Sequence, residues 1–317
     1  MKLSVVVPTY RKAGLLTRTL DALVDQDPAV EWEVVVVDDG SDDDGRTAEV
    51  LGSFRDRLPL VEAGCGHNEG RARARNRGWR AARGRWVLFL DDDIVLHDGA
   101  LAAHARAQTD REACYLGRVI TAPEIVDSTL FEYLDTRGVA KCPPGAEVPS
   151  RYLLTQNVSL PRSALETIDG FDEDFGVYGF EDMEIAFRLE DAVGLRFFSL
   201  PTATGEHVHH HTLDEYLEKK VLCGRETLPQ LARLHPHRMA EMRLDVLGDL
   251  PAGARPSALA AVLDLSWRWG GMAVARALVR AWPRPLAPGL RHRAYDYLVL
   301  GAYAAGLRSR GPADPAA

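Results

Sequence analysis

The sequence predicts an α/β fold: a doubly wound, mostly parallel sheet flanked by helices, followed by a C-terminal helical subdomain. Short, continuous apolar runs recur through the first hundred residues, and stretches with apolar residues at helical spacing separate them. From residue 213 onward the strand-like runs give way to helical stretches broken by prolines, which predicts the subdomain.

Leu3-Ser4-Val5-Val6-Val7 reads as the first strand, and 14–25 follows as a helix with Leu15, Leu16, Leu20 and Leu23 on one face. Residues 33–37 make a second strand that ends in Asp38-Asp39-Gly40-Ser41. A helix over 46–57, a short strand over 60–62, a helix over 69–82 and a strand over 86–90 complete the alternation. Runs this short and this uniformly apolar suit strands buried on both faces. Downstream the expected elements are a strand at 115–121, a Pro/Gly-rich link at 142–149, a strand at 153–160, helices at 163–167 and 182–191, and a strand at 195–200. In the last third, helices are expected at 213–222, 226–234, 257–268, 272–282 and 294–307. Pro251, Pro256, Pro283, Pro285 and Pro288 punctuate them. The expected organisation is an α/β domain over 1–212, the helical subdomain over 213–308 and a disordered tail over 309–317. There is no internal repeat.

At 317 residues, 46% apolar and 26% charged, the composition is that of a globular protein with a full core. Lysine and arginine number 38 against 46 acids, a formal charge of −8, which argues against a general nucleic-acid binder. Basic residues still crowd one segment: Arg71, Arg73, Arg75, Arg77, Arg80, Arg83 and Arg85. Most read as the wet face of a helix, leaving a minority for anionic phosphates. Cys65, Cys114, Cys142 and Cys223 are far apart and form no Cys-x-x-Cys pair, so neither a disulfide framework nor a thiolate zinc site is expected. Residues 1–8 read directly as a strand rather than a signal-peptide apolar core, and no apolar run has the length of a membrane span. A cytoplasmic location is the default expectation.

Phe89-Leu90-Asp91-Asp92-Asp93 is the most informative segment, three carboxylates at the carboxyl end of a buried strand, where open α/β sheets bind ligands. Packed together without a cation they repel and raise one another's pKa; a divalent hard metal carrying a phosphate holds them ionised. An isolated Asp-Asp-Asp is more simply a solvated turn, and the strand ahead of it reverses that preference. Two further strand ends converge on the same edge, Pro8-Thr9-Tyr10 and Asp38-Asp39-Gly40-Ser41. A carboxylate there can accept hydrogen bonds from a base N–H or from ribose hydroxyls, and Gly40 permits the tight turn. Gly70 lets the next helix start closely against a ligand, with an N-terminus that favours a diphosphate. No Gly-x-Gly-x-x-Gly follows the first strand, which argues against a nicotinamide dinucleotide.

Farther on, Gly170-Phe171-Asp172-Glu173-Asp174-Phe175 leads into Glu181-Asp182 at a helix start. A lone Glu-Asp there is usually a cap; beside a glycine- and aromatic-rich loop, a carboxylate can also take the proton of an attacking hydroxyl. In His207-Val208-His209-His210-His211, His207 and His209 share one face of an extended continuation, and histidine ligates Mn²⁺ alongside carboxylates. His210 and His211 read as a solvated turn.

Taken in order, Val5-Val6-Val7-Pro8-Thr9-Tyr10, Val36-Val37-Asp38-Asp39-Gly40-Ser41, Ala74-Arg75-Asn76-Arg77-Gly78 and Phe89-Leu90-Asp91-Asp92-Asp93 resemble the inverting family 2 glycosyltransferases. So does Gly170-Phe171-Asp172-Glu173 running into Glu181-Asp182. The resemblance implies the GT-A fold, a Rossmann-like, mostly parallel sheet. It also implies that Pro8, Thr9 and Tyr10 line the nucleoside site, that Asp39 binds the base, and that Asp91 or Asp92 lies near the ribose. Gly70, Arg71 and Arg75 would lie nearest the phosphates, and Asp93 with Asp91 would ligate Mn²⁺ or Mg²⁺. The run 181–188 followed by His207-Val208 is similar to galactosyl- and N-acetylgalactosaminyltransferases, where that histidine completes the metal shell, so His207 is preferred to His209. Asp182 matches the catalytic base, assisted by Glu181. The implied partners are a nucleoside-diphosphate sugar, UDP favoured, and an acceptor hydroxyl that displaces the diphosphate directly with inversion. Polymerising members carry Gln-x-x-Arg-Trp and membrane helices; Trp267-Arg268-Trp269 lacks the leading Gln, which implies single addition.

Three rivals have specific requirements. A sugar-nucleotide-forming nucleotidyltransferase on a similar fold would open with a Gly-rich loop where Pro8-Thr9-Tyr10-Arg11-Lys12 stands. A non-enzymatic nucleotide- or carbohydrate-binding protein with a decayed site would have lost some of the expected carboxylates. A metal hydrolase on the histidine cluster would need closer ligands than Asp214 and Glu215. In the last third, Trp267, Trp269, Trp282, Tyr295, Tyr297 and Tyr303 stand among Arg268, Arg276, Arg280, Arg284, Arg291 and Arg293. They admit two readings: aromatics that pack the subdomain, or a basic amphipathic surface for a peripheral membrane contact or a homodimer.

Overall fold

The computed structural model describes residues 2–108, 113–125, 129–247, 250, 258–282 and 287–310. Two units divide the chain: Met1–Asp127, Asp135–Gly176 and Glu181–His210 in the first, Ser128–Leu134, Val177–Phe180 and His211–Ala317 in the second. Pro251, Pro256, Ser257, Pro283, Arg284, Pro285 and 311–317 lie outside the described residues.

The first unit begins β1 (Leu3–Thr9), α1 (Ala13–Val24), β2 (Trp32–Asp38), α2 (Arg46–Phe54), β3 (Leu60–Glu62), α3 (Arg71–Ala81) and β4 (Trp86–Leu90). It continues with β5 (Ile94–Leu96), α4 (Ala100–Ala107) and β6 (Ala113–Thr121); α5 (Thr129–Leu134) belongs to the second unit. Then come β7 (Asn157–Pro161), α6 (Arg162–Ile168), α7 (Glu181–Arg188) and β8 (Arg196–His207). The eight strands form one sheet in the order β3-β2-β1-β4-β7-β6-β8-β5.

β1 lies between β2 and β4, parallel to both, so Val5 is flanked by Val34 and Leu88. Alternate side chains enter opposite cores. Val6, Val35, Val37, Val87 and Phe89 pack with Ala72, Ala74 and Trp79 of α3 and Ile185 and Ala186 of α7. Val5, Val7, Val34, Val36, Leu88 and Leu90 pack with Leu16, Leu20 and Leu23 of α1, Leu51 and Phe54 of α2, and Leu101 of α4. Burial on both faces is why these strands are apolar at nearly every position. Gly78 brings α3 against the sheet: a Cβ there would collide with the Val6 side chain.

The second half of the sheet is mixed rather than parallel. β7 runs antiparallel to both β4 and β6, β8 is parallel to β6, and β5 is antiparallel to β8. β7 starts at Asn157, later than expected, because Ser150–Tyr152 close a 3-10 turn. β8 continues to His207, beyond the expected end at 200. Its register against β6 shifts between Gly117 and Arg118, which pair with Leu200 and Thr204. The intervening bulge accommodates Pro201, which has no N–H for the ladder. The short β5 and α4 gave no periodic signal.

The second unit is helical: α5, α8 (Leu213–Arg225), α9 (Thr227–Leu234), α10 (Ala258–Arg268), α11 (Gly271–Ala281) and α12 (Pro288–Ser309). A capping box between Thr212 and Glu215 starts α8. Leu130, Tyr133, Leu217, Ala275, Val279, Tyr295, Leu298 and Ala302 form its core, in which the Tyr133 and Tyr295 rings stack at 4.9 Å. Trp267 and Tyr295 are thus interior residues, whereas Trp269 is 81% exposed. α12 runs through Ser309, so the first residue assigned to the expected tail is helical.

Candidate active site

Parallel pairing of β1, β2 and β4 brings their carboxyl ends to one edge and sets Thr9, Asp39 and Asp91-Asp92-Asp93 side by side. Asp39 is buried and accepts backbone hydrogen bonds from Glu69 (2.8 Å) and Gly70 (3.0 Å), so it ties the start of α3 to the tip of β2. Gly70 has φ +90° and faces the Gly176 carbonyl, where a Cβ would sit 2.7 Å from the oxygen. Only glycine fits that approach. The Cys65 thiol lies 3.4 Å from Asp39, and burial together with that carboxylate pushes its pKa up to about 11.

At the tip of β4 the acids acquire a resident cation. Lys12, directly after Pro8-Thr9-Tyr10-Arg11, places its ammonium 3.1 Å from Asp92 Oδ1 and 2.7 Å from Asp93 Oδ2. Thr9 donates to Asp92 Oδ2 at 2.7 Å, and the Thr19 hydroxyl holds the Asp92 carbonyl at 2.9 Å. Burial and the Asp93 charge, opposed by Lys12 and Thr9, bring the Asp92 pKa up to about 6. For Asp93 burial also works against ionisation, but Lys12 and His207 outweigh it and the pKa lies below the ordinary 3.8. Burial disfavours the Lys12 charge too, yet the two aspartates prevail and raise its pKa.

β5–β8 pairing explains how a histidine more than a hundred residues away reaches this tip. Ile94 pairs with His207, and Val208 N–H donates to the Asp93 carbonyl at 3.0 Å. His207 Nε2 lies 3.7 Å from Asp93 Oδ1. Asp91 turns elsewhere, to Arg75. Among the described residues the three-donor group close enough for one metal ion is Asp39, Cys65 and Glu69, not Asp91, Asp93 and His207. That first group is a poor centre: the Asp39 oxygens already hold two N–H groups, and the thiol stays protonated at neutral pH. The carboxylate and imidazole of Asp93 and His207 are the donor pair that fits a divalent ion, and the nearby Lys12 ammonium marks the spot as one that calls for positive charge.

Arg75, expected nearest the phosphates, is instead 1% exposed and spends its guanidinium on carboxylates. Nη2 donates to Asp91 at 3.1 Å, Nη1 donates to Glu181 at 3.0 Å, and Nη1 lies 3.7 Å from Asp182. The reason is its place on α3: Arg71, Arg73, Arg77 and Arg80 point to solvent, whereas position 75 faces inward. One guanidinium thus joins the strand tip to the start of α7. Three carboxylates share one positive charge, and Asp182 is the one left under-compensated. Burial and the Glu181 charge, opposed by Arg75 and Thr155, raise its pKa to about 7. The Thr155 hydroxyl donates to Asp182 at 2.7 Å.

Asn76, one residue on, anchors the loop that precedes α7. Its Nδ2 donates to the Phe171 carbonyl and to Glu173, both at 2.9 Å, while its Oδ1 accepts from Phe171 N–H (2.8 Å) and Trp79 Nε1 (2.9 Å). Phe171 packs edge-on against Phe89 of β4 at 5.2 Å and lies 5.7 Å from the Arg75 guanidinium.

The structure therefore brings Thr9, Asp91, Asp92, Asp93 and His207 together at one tip, and ties Glu181 and Asp182 to it through Arg75. Asp39 and Gly70 form the neighbouring clamp, with Pro8 half-buried and Tyr10 and Arg71 exposed. Lys12, Asn76 and Thr155 are additions that sequence reading missed. Each acts on a partner tens of residues away; the charge of Lys12 beside the first strand end and the place of Asn76 in the motif over 74–78 are the signals the sequence offers.

Residues 4–131 match the glycosyl transferase family 2 model, and residues 139–212 match the model described as the N-terminal domain of galactosyltransferase. Validoxylamine A glucosyltransferase of Streptomyces hygroscopicus subsp. jinggangensis is 33% identical over 276 residues, covering 76% of this chain and 62% of the relative. The chain thus spans less than two thirds of that relative's length. Among solved structures, mannosyltransferase PcManGT from Pyrobaculum calidifontis in complex with GDP-Man and Mn²⁺ superposes with a TM-score of 0.63 at 22% identity, over 98% of this chain and 88% of that one. S. aureus TarS 1-349 in complex with UDP-GlcNAc superposes with a TM-score of 0.53 at 22% identity, over 98% and 91%. The family models carry the assignment and the structures carry the fold: this chain carries a family 2 glycosyltransferase domain over residues 4–131 and a galactosyltransferase-like continuation over 139–212, with a GT-A fold.

Proposed function

We propose that the chain transfers a single sugar from a nucleoside-diphosphate sugar, UDP favoured, to an acceptor hydroxyl by direct displacement with inversion. The observation that carries this reading is the Arg75 bridge, which holds Asp91 of the donor-side tip and the Glu181–Asp182 pair on one guanidinium. A carboxylate with a pKa of about 7 is matched to proton abstraction near neutral pH, and Asp182 is our general base. It accepts the acceptor's proton as the hydroxyl oxygen attacks the anomeric carbon and the diphosphate leaves from the opposite face. Glu181, buried on Arg75, positions the guanidinium and keeps Asp182 basic. Thr9 lines the nucleoside site, Asp39 binds the base and Asp91 or Asp92 lies near the ribose, as the family resemblance implies.

Asp93 and His207 would hold the divalent cation, and a mixed carboxylate–imidazole pair suits Mn²⁺ better than Mg²⁺, which prefers oxygen ligands. When bound, that ion neutralises charge on the departing diphosphate. The ligands of the solved neighbours, UDP-GlcNAc in one and GDP-Man with Mn²⁺ in another, support a nucleotide sugar as donor. Free thiols at Cys65, Cys114, Cys142 and Cys223 suit a reducing compartment such as the cytoplasm.

A panel of nucleotide sugars screened with Mn²⁺ for thermal stabilisation and hydrolysis identifies the donor. With that donor, Asp182→Asn should lower kcat by about 10² to 10⁴ while UDP still binds. Turnover near that of the parent, or a product that retains the donor's anomeric configuration, sinks the mechanism.

A further inference from the structure

Two helices of the second unit turn an apolar face to solvent. On α10 it comprises Leu259, Val262 and Leu265, with Trp269 just past the end; on α11 it comprises Val274 and Leu278. The α10 residues recur at helical spacing and form one stripe. Leu259, Val262, Leu265 and Val274 are each about 60% exposed, beyond what scattered surface residues need. The opposite sides of the same helices already fill the interior, with Ala260 and Trp267 from α10 and Ala275 and Val279 from α11.

Charge says what such a face would meet. Residues 258–310 contain eight arginines, no lysine or glutamate and two aspartates; Arg291 is buried against Glu132, and on α10 and α11 themselves Arg268, Arg276 and Arg280 stand against Asp264, an excess of two positive charges in a chain whose net charge is −8. Arg268 and Arg280 stand on these two helices with side chains more than half exposed, anchored at 2.6 Å to Asp264 and Asp214. Their stems extend the apolar surface while the guanidinium heads stay wet. Trp269 adds an amphipathic ring beside Arg268. A two-fold pairing of this face with a second copy would bring the same arginine-bearing rims together. An anionic bilayer supplies the opposite charge. Among the described residues no helix is long and apolar enough to cross a membrane, so the contact is one that lies on the surface.

We infer that the α10–α11 face docks the protein onto an anionic lipid surface, with Leu259, Val262, Leu265, Trp269, Val274 and Leu278 entering the headgroup–acyl boundary and the arginines meeting lipid phosphates. The test is co-sedimentation of the full chain with phosphatidylcholine vesicles, with or without phosphatidylglycerol. The chain should pellet with the anionic vesicles, much less with pure phosphatidylcholine, and less as salt rises. Val262→Glu combined with Leu265→Glu, at exposed sites, should lower the partition coefficient at least about tenfold with the melting temperature unchanged. If the double variant does not fold, brominated phosphatidylglycerol vesicles decide with the parent. They should quench emission that Trp269→Phe lacks. Failure to pellet, pelleting or salt response indifferent to the substitutions, absent quenching, or a lipid-independent dimer that the double variant dissolves would each overturn the inference.

Discussion

Thr155→Val is the most discriminating perturbation of the proposed base. The hydroxyl of Thr155 donates a 2.7 Å hydrogen bond to Asp182 and favours its charged form. Hydrogen bonds to charged groups contribute about 1.5–3 kcal/mol, and 1.4 kcal/mol corresponds to one pH unit of titration. Valine is nearly isosteric and keeps the packing, so the substitution should move the titration of Asp182 upward by roughly one to two units. The parent, with Asp182 at about 7, should show kcat/KM rising roughly tenfold per pH unit at acid pH and levelling above 7. In the variant the same limb should level between about 8 and 9, with the plateau largely retained because the carboxylate is more basic. The assay is initial rate at low donor concentration and saturating Mn²⁺ from pH 5 to pH 9.5. Calorimetric Mn²⁺ binding over the same range separates titration of the base from any change in metal occupancy. An acid limb that stays in place, or moves to lower pH, refutes the assignment of Asp182 and the sign of the Thr155 effect.

Removing the resident ammonium by Lys12→Met leaves Asp92 and Asp93 without their cation, so Mn²⁺ titrated alone should bind about tenfold tighter than to the parent; calorimetry showing equal or weaker affinity would contradict a competition at Asp93. Asn76→Ala strips partners from buried Phe171 and Trp79 groups and should cost about 2–4 kcal/mol in urea unfolding, with less than about 1 kcal/mol counting against the clamp. Gly70→Ala forces a Cβ at φ +90° to within 2.7 Å of the Gly176 carbonyl, which should lower stability by about 1–3 kcal/mol and weaken UDP binding by loosening the Asp39 cap; wild-type values for both would show the turn relaxes freely.

Local patterning carried the parallel half of the sheet. β1, β2 and β4 are legible because burial on both faces leaves a short run of valine and leucine with no periodicity, and α1 because its four leucines repeat at helical spacing. The carboxylates at their tips are adjacent in sequence or end a recognisable strand, so Asp39 and Asp91-Asp92-Asp93 could be named from the chain alone. His207 is legible as a motif, but what holds it beside Asp93 is the pairing of β5 with the end of β8, which runs on past a bulge in its ladder with β6 at Pro201, a residue that reads as a strand terminator.

Arg75 marks the limit most clearly. Seven arginines crowd one segment with nothing in their spacing to single one out, and only the docking of α3 on the sheet decides that position 75 faces inward while its neighbours face water. Burial then makes carboxylate partners obligatory, and those lie at positions 91, 181 and 182. The chain encodes which chemical groups are available. Which of them share a guanidinium, and hence which acid is left with a pKa near 7, follows from long-range packing, because the electrostatic energy depends on separations that no sequence interval specifies.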